Sequence, residues 1–388
     1  MFIIALIIAT MIPLTAFLGI RQLDLYRTGS SSVVAISFFW GMLAFGGAYL
    51  TNSAMLNAGL VSDEVFRRYT APIVEEVLKG LFVIYLVRRP SFHYFVDGAI
   101  YGFAIGIGFA IIENYSYVIG TQQAAMGIAI SRVLSTNLMH ATGSALIGIS
   151  LGYSRFERPG KAVAAGLAGL ILALLVHIGF NNLVTRVSSS LLLIYAMGVG
   201  LGGVAFIAFM IRQGLSEERT WIKEKLGEAD RVTAGEAAVV DEFARISTLL
   251  EPISEQFGEE KARQVEDFLR AQAQLGIKRK MLDKLNDEKM LAAVQAQIDT
   301  LRVQMNEARQ AVGAYTMLYV RNIFPPQTSP LWGQLDFAIA ERQASRGSEP
   351  DAPSLWDTLG SRMAASSPSD RPDQSSSSTS NAPDADIS

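Results

Sequence analysis

Seven stretches of the 388-residue chain are apolar over roughly 20 residues each, the length needed to cross a bilayer as a helix. They run at about 1–20, 33–56, 67–87, 94–119, 133–153, 162–184 and 191–211. A chain of this kind has few options, because every backbone polar group inside lipid must be satisfied within its own helix. The expected fold is therefore all-α, a polytopic membrane bundle of about seven spans. The first stretch lacks the basic start and small-residue cleavage site of a signal peptide and reads as a span.

Charge divides the chain into unlike parts. Residues 1–212 hold 13 Lys/Arg and 8 Asp/Glu, about 10% charged, while residues 213–388 hold 20 and 28, about 27% charged. This gives three expected regions: a membrane domain over 1–212, a cytoplasmic helical region with a coiled coil over 213–324, and a disordered Ser/Pro/Asp-rich tail over 325–388. The chain has no cysteine, which excludes disulfides, thiol nucleophiles and thiolate metal sites. No basic patch with interleaved aromatics points to nucleic acid.

Orientation follows from the short loops. Arg21 and Arg27, then Arg88 and Arg89, then Arg155, Arg158 and Lys161 mark alternate loops, and Arg212, Arg219, Lys223 and Lys225 follow the last span. Only Arg67, Arg68, Arg132 and Arg186 lie on the opposite side. The N-terminus is expected outside and the C-terminal region in the cytoplasm, with the protein in the cytoplasmic membrane.

Ionisable groups within spans are costly and mark function. Here they are Glu75, Glu76 and Lys79 in the third stretch, Glu113 beside Asn114 in the fourth, His140 in the fifth, and His177 with Asn181 in the sixth. At 1.5 Å per residue, Glu75, Glu113, His140 and His177 all fall roughly 9–12 Å below the outer face. Gly98, Gly102, Gly106 and Ala110 form a small-residue row that lets helices approach closely, and Glu113 points along the same face. A desolvated carboxylate can take a proton from water, and a histidine with an asparagine can stabilise an oxyanion. Glu76, Glu113, His140 and His177 are the alternative set for a zinc ion, which would acidify bound water. The plainer reading of Glu75 and Lys79 is a structural i,i+4 pair, and that of His140 is a helix–helix hydrogen bond. H-E-x-x-H is absent, and Asp97 has no second intramembrane aspartate to form a dyad.

These residues resemble a known group. Glu75-Glu76-x-x-Lys79, Gly102…Gly106…Phe109-Ala110-x-x-Glu113-Asn114, His140-Ala141 and His177-x-x-x-Asn181 are similar to the motifs of the PrsW family of intramembrane proteases, related to the CAAX prenyl endopeptidases and bacteriocin-immunity proteins. The resemblance covers about residues 30–210. It implies Glu75 or Glu76 as the water activator, with His177 and Asn181 as oxyanion partners. The relatives carry His where Glu113 stands, which leaves both a glutamate-type mechanism without cofactor and a metal-dependent one open. It further implies membrane-anchored protein substrates cleaved towards the outer side, as with anti-sigma factors. The rival readings are a non-enzymatic membrane scaffold or immunity-like protein that signals through its cytoplasmic coil, and a proton-coupled transporter.

Beyond Leu215, apolar residues recur in steps of three and four from Leu291 through Val294, Ile298, Leu301 and Met305 to Tyr319. This is a heptad pattern. It fits a coiled-coil homodimer or, equally, a helix packed in a small bundle with residues 241–269.

Overall fold

The computed structural model describes residues 1–184, 186, 189–226 and 246–323. Those residues are all-helical, with no strand among them. In chain order the helices are α1 (Phe2–Gln22), α2 (Ser31–Asn57), α3 (Asp63–Val65), a π-turn (Phe66–Thr70), α4 (Ala71–Val87), α5 (Phe95–Gly120), a 3-10 turn (Gln122–Ala124), α6 (Ala125–Leu134), α7 (Thr136–Tyr153), α8 (Pro159–Val184) and α9 (Ser189–Lys225). Four more follow: α10 (Ile246–Phe257), α11 (Glu259–Lys284), α12 (Glu288–Val312) and α13 (Ala314–Ile323). The tail expected over 325–388 lies outside the described residues.

Among the described residues, five helices are long and apolar enough to cross a membrane: α1, α2, α5, α8 and the stretch Met197–Lys225 of α9. The chain is thus a multi-pass membrane protein. The other two expected spans correspond to α4 and α7. Helix α4 has only 17 residues, and the 18 of α7 include Asn137, His140, Thr142 and Ser144, all buried. Both owe their polarity to groups that face the bundle interior rather than lipid.

Helix α5 is the axis, with 94% of its apolar window buried against 22–28% for the other four. Its glycine row explains how neighbours come so near. A Cβ at Gly98 would lie 2.1 Å from Gly148 O, and one at Gly106 would lie 2.4 Å from His140 O and 2.5 Å from Ala141 Cα. No side chain fits between α5 and α7 at those points. On its other side α5 meets α2, where a Cβ at Gly41 would lie 2.0 Å from Ile105 O.

The charged C-terminal helices do not stand apart from this bundle. Helix α9 continues without a break from the apolar segment to Lys225, and α11 packs along it so closely that a Cβ at Gly276 would meet Ile222 Cα at 3.0 Å. From α11, Arg270 and Gln274 donate to the carbonyls of Leu25, Tyr26 and Arg27, and Lys278 donates to Pro90 O at 2.8 Å. The heptad stripe of α12 faces inward: Val294, Ile298, Met305 and Val312 are buried in the same apolar cluster as Val265, Phe268 and Leu269 of α11. Within the chain, the stripe packs on α11. Gly313, at φ 85°, lets the chain turn between α12 and α13.

At this junction Asp24 is buried beside Asp97, with its Oδ1 lacking a hydrogen-bond partner. Burial, then the charge of Asp97, pushes its carboxyl from 3.8 up to about 7. Between those values the folded chain holds a proton that the unfolded chain has lost, so this group's contribution to stability falls as pH rises through the window. The full shift corresponds to about 4 kcal/mol. Asp24→Asn should therefore widen its melting-temperature advantage over the parent protein as pH goes from 5 to 8. A difference that does not change with pH would contradict it. Nearby His93, held down to about 4 by burial and by Lys278, acts in the opposite sense between pH 4 and 6.5 and is common to both proteins.

Candidate active site

The site begins with a local defect in a helix. Pro72 has no N–H, so it cannot donate back to the preceding turn. The turn before it widens to a π-turn, in which Ala71 N donates to Phe66 O. The next carbonyl in that register, Arg67 O, has only Pro72 opposite it. The Asn181 side chain fills the gap, donating from Nδ2 to Arg67 O at 2.9 Å. The residue implied as an oxyanion partner is therefore engaged in joining α8 to the start of α4. π-Turns of this kind occur frequently at functional sites.

Helix α4 then presents Glu75 and Glu76, about 100° apart around its axis. Glu76 is buried and turned inward. Its Oε1 accepts from Lys79 Nζ at 2.5 Å and from His177 Nδ1 at 2.9 Å. Lys79, also buried, has its ammonium 3.1 Å from His140 Nδ1. An ammonium has only donors, so His140 Nδ1 accepts and its Nε2 carries the proton. That Nε2 donates to Glu113 Oε2 at 2.8 Å. Glu113 is held in turn by Arg132 at 2.6 Å, and Arg132 Nε donates to Asn114 Oδ1 at 2.9 Å. Asn114 Nδ2 donates to Asn137 Oδ1 at 2.6 Å. Four helices, α4, α5, α7 and α8, thus contribute to one network, with α6 closing it through Arg132.

Glu75 stands apart. Its Oε2 is buried, makes no hydrogen bond and lies 3.8 Å from His177 Nε2. It faces a cavity of about 950 Å3 whose wall also includes Glu113, Arg132, His140 and His177. The cavity extends towards Asp63, Glu64 and Arg68, at the α3 end of α4.

Candidate ligand atoms of Glu75, His140 and His177 all lie within 4.8 Å of one another. Two imidazoles and a carboxylate are the donor set of a catalytic zinc site with an open position. The orphaned Glu75 oxygen and the free His177 Nε2 fit that use, whereas His140 has both ring nitrogens on protein partners and must release one to join. The four-residue set read from the sequence shares His140 and His177 with this group. Glu76 and Glu113 are engaged with Lys79, His177, Arg132 and His140.

The sequence reading brought together Glu75, Glu76, Lys79, Glu113, His140 and His177, and the structure places all six in contact. Asn137 is not among the residues that the sequence singles out, and Arg132 enters there only as a charge on the outer side. The available signal was weak: Arg132 is the one arginine between the fourth and fifth spans.

Residues 29–211 match the model of the "PrsW family intramembrane metalloprotease". The chain is 26% identical over 189 residues to "Protease PrsW" of Bacillus subtilis (strain 168), covering 48% of this chain and 85% of that one. It is 24% identical over 202 residues to the protein of the same name from Shouchella clausii (strain KSM-K16), covering 50% and 89%. A third, from Geobacillus kaustophilus (strain HTA426), is 27% identical over 155 residues, covering 39% and 68%. No solved structure matches. The residues matched contain every group of the buried network just described, and over residues 29–211 this chain is similar to the PrsW family of intramembrane proteases.

Proposed function

We propose that this intramembrane endopeptidase cleaves membrane-anchored proteins with Glu75 as the proton acceptor for an attacking water, in a site entered from the outer side of the membrane. The observation that carries the reading is the convergence of Glu75, His140 and His177 on the wall of one water-accessible cavity. The proposed topology has seven spans, with α4 and α7 as short polar ones, an outside N-terminus and α10–α13 in the cytoplasm. Anti-sigma-factor-like, single-pass proteins are the substrate class that suits an outer-half site.

In this scheme the water oxygen bonds to the peptide carbonyl carbon and its proton passes to Glu75. The same proton then goes to the leaving amine as the C–N bond breaks. Glu76, fixed by Lys79, holds His177 with Nδ1 protonated and Nε2 turned towards Glu75. Glu113, fixed by Arg132, does the corresponding work for His140. The geometry leaves His177 Nε2 without a proton, which suits it to a metal better than to donating a hydrogen bond to an oxyanion. Glu75, His140 and His177 are the residues that would hold a divalent ion such as zinc. When bound, such an ion supplies polarisation of the carbonyl and a more acidic water.

The test is cleavage of a single-pass substrate by the purified full chain in vesicles before and after 1,10-phenanthroline. Loss of activity, with recovery on adding zinc, is the expected result. An unchanged rate after metal removal, verified by elemental analysis, would leave the glutamate mechanism without a metal.

A further inference from the structure

A second cavity, of about 720 Å3, begins at Glu76 and runs the other way along α4. Its walls are apolar: Val77, Leu81 and Ile84 from α4, Val163 and Leu167 from α8, with Ile147 of α7 beneath. Val77, Leu81, Val163 and Leu167 are exposed, so the slot opens sideways towards lipid. From Glu76 to Arg88 its depth is about 18 Å, twelve residues at 1.5 Å each. The hydrocarbon of one leaflet is about 15 Å, half of a 30 Å core.

The far end is basic and capped by the connection between α11 and α12, from Lys284 to Asp287. Its acidic groups are already engaged. Glu157 pairs with Lys161 at 3.1 Å, and Asp287 caps α12 by accepting from Met290 N at 2.8 Å. Arg155 donates to the carbonyls of Val87 and Arg89, leaving a buried Nε with no partner. Arg88 and Arg158 are exposed and make no ion pair among the described residues. An apolar slot of leaflet depth therefore ends in cations that lack an anion.

We propose that this slot binds one anionic phospholipid of the leaflet on the α11 side. One acyl chain lies between α4 and α8 with its end below Glu76, and the phosphate rests against Arg88 and Arg158. The bound chain fills the side of α4 opposite the active-site cavity, so water and substrate reach the network from one direction only.

The test uses the purified full chain, stripped of lipid by detergent exchange, and native mass spectrometry with phosphatidylglycerol or phosphatidylcholine of identical chains. Its readout is independent of cleavage, so it stands or falls separately from the protease mechanism. One phosphatidylglycerol should be retained in preference, and Arg88→Gln and Arg158→Gln should each lower that preference about 5-fold. Ala162→Phe, which narrows the slot, should remove the retained lipid. Equal retention of the two lipids, or retention unaffected by both kinds of substitution, would overturn the proposal. So would one-for-one displacement of the lipid by a single-span helical peptide.

Discussion

Glu75→Gln is expected to lower kcat/KM by about 10³-fold or more while leaving the melting temperature nearly unchanged. Glutamine keeps the volume and planarity of the side chain and removes its basicity. The carboxylate oxygen that matters has no hydrogen-bond partner to lose, so the fold has little at stake there. A positioned general base contributes about 10²–10⁴ in rate, and loss of a metal ligand would add to that. Glu113→Gln provides the contrast. Glu113 acts through His140, and orienting partners of this kind are worth about 10–100-fold. Glu260→Gln, at an exposed pair with Arg263, should have no effect on rate. Cleavage measured in vesicles beside melting curves of the same preparations decides the matter. A Glu75→Gln rate within tenfold of the parent would remove Glu75 from the chemistry.

Gly106→Ala should damage both stability and activity, although it adds one methyl group in a membrane helix where alanine is ordinarily welcome. The added carbon would lie 2.4 Å from His140 O and 2.5 Å from Ala141 Cα. Those are backbone atoms, so relief requires α5 and α7 to part by about 1 Å. Overpacking of this sort costs about 1–3 kcal/mol, at times more. The residue displaced is His140 itself, and a misplacement of about 1 Å in a catalytic group can cost about 10²-fold in rate. Gly98→Ala, two turns away on the same row, should lose stability and spare more of the activity. Gly46→Ala on α2, where nothing lies within 4 Å, should be neutral in both. Equal melting temperatures for all three variants would mean that the α5–α7 contact is looser than described.

The helices and the cluster were legible because both follow from local pattern. Apolar runs mark the spans, and counting 1.5 Å per residue from their ends puts Glu75, Glu113, His140 and His177 near one depth. What counting cannot tell is azimuth. Glu75 and Glu76 are neighbours in sequence, yet one meets the cavity and the other meets Lys79 and His177. Spacing alone therefore does not choose between them as a ligand. Asn181 shares a face with His177 and lines the same cavity, as same-face reasoning expects; what spacing cannot show is that its amide also answers a vacancy made by Pro72 on a helix more than a hundred residues earlier. Likewise the period in α12 reveals which face is buried but not against what, and α11 of the same chain is the partner.

The central position of α5 has a consequence for how this protein comes into being. It is nearly as apolar as lipid-facing α2, so the insertion machinery meets two similar segments. Only later does one become enclosed while the other stays solvated by lipid. Glu113 must therefore enter the bilayer before its partners surround it, at a penalty on the order of 3 kcal/mol that the Ile, Phe and Ala residues around it offset. Synthesis runs from α4 to α8, so the carboxylates and Lys79 are in place before His140, and His140 before His177. The hydrolytic centre is a product of assembly rather than of insertion, and a nascent chain halted before α8 holds its acids without the imidazole that completes them.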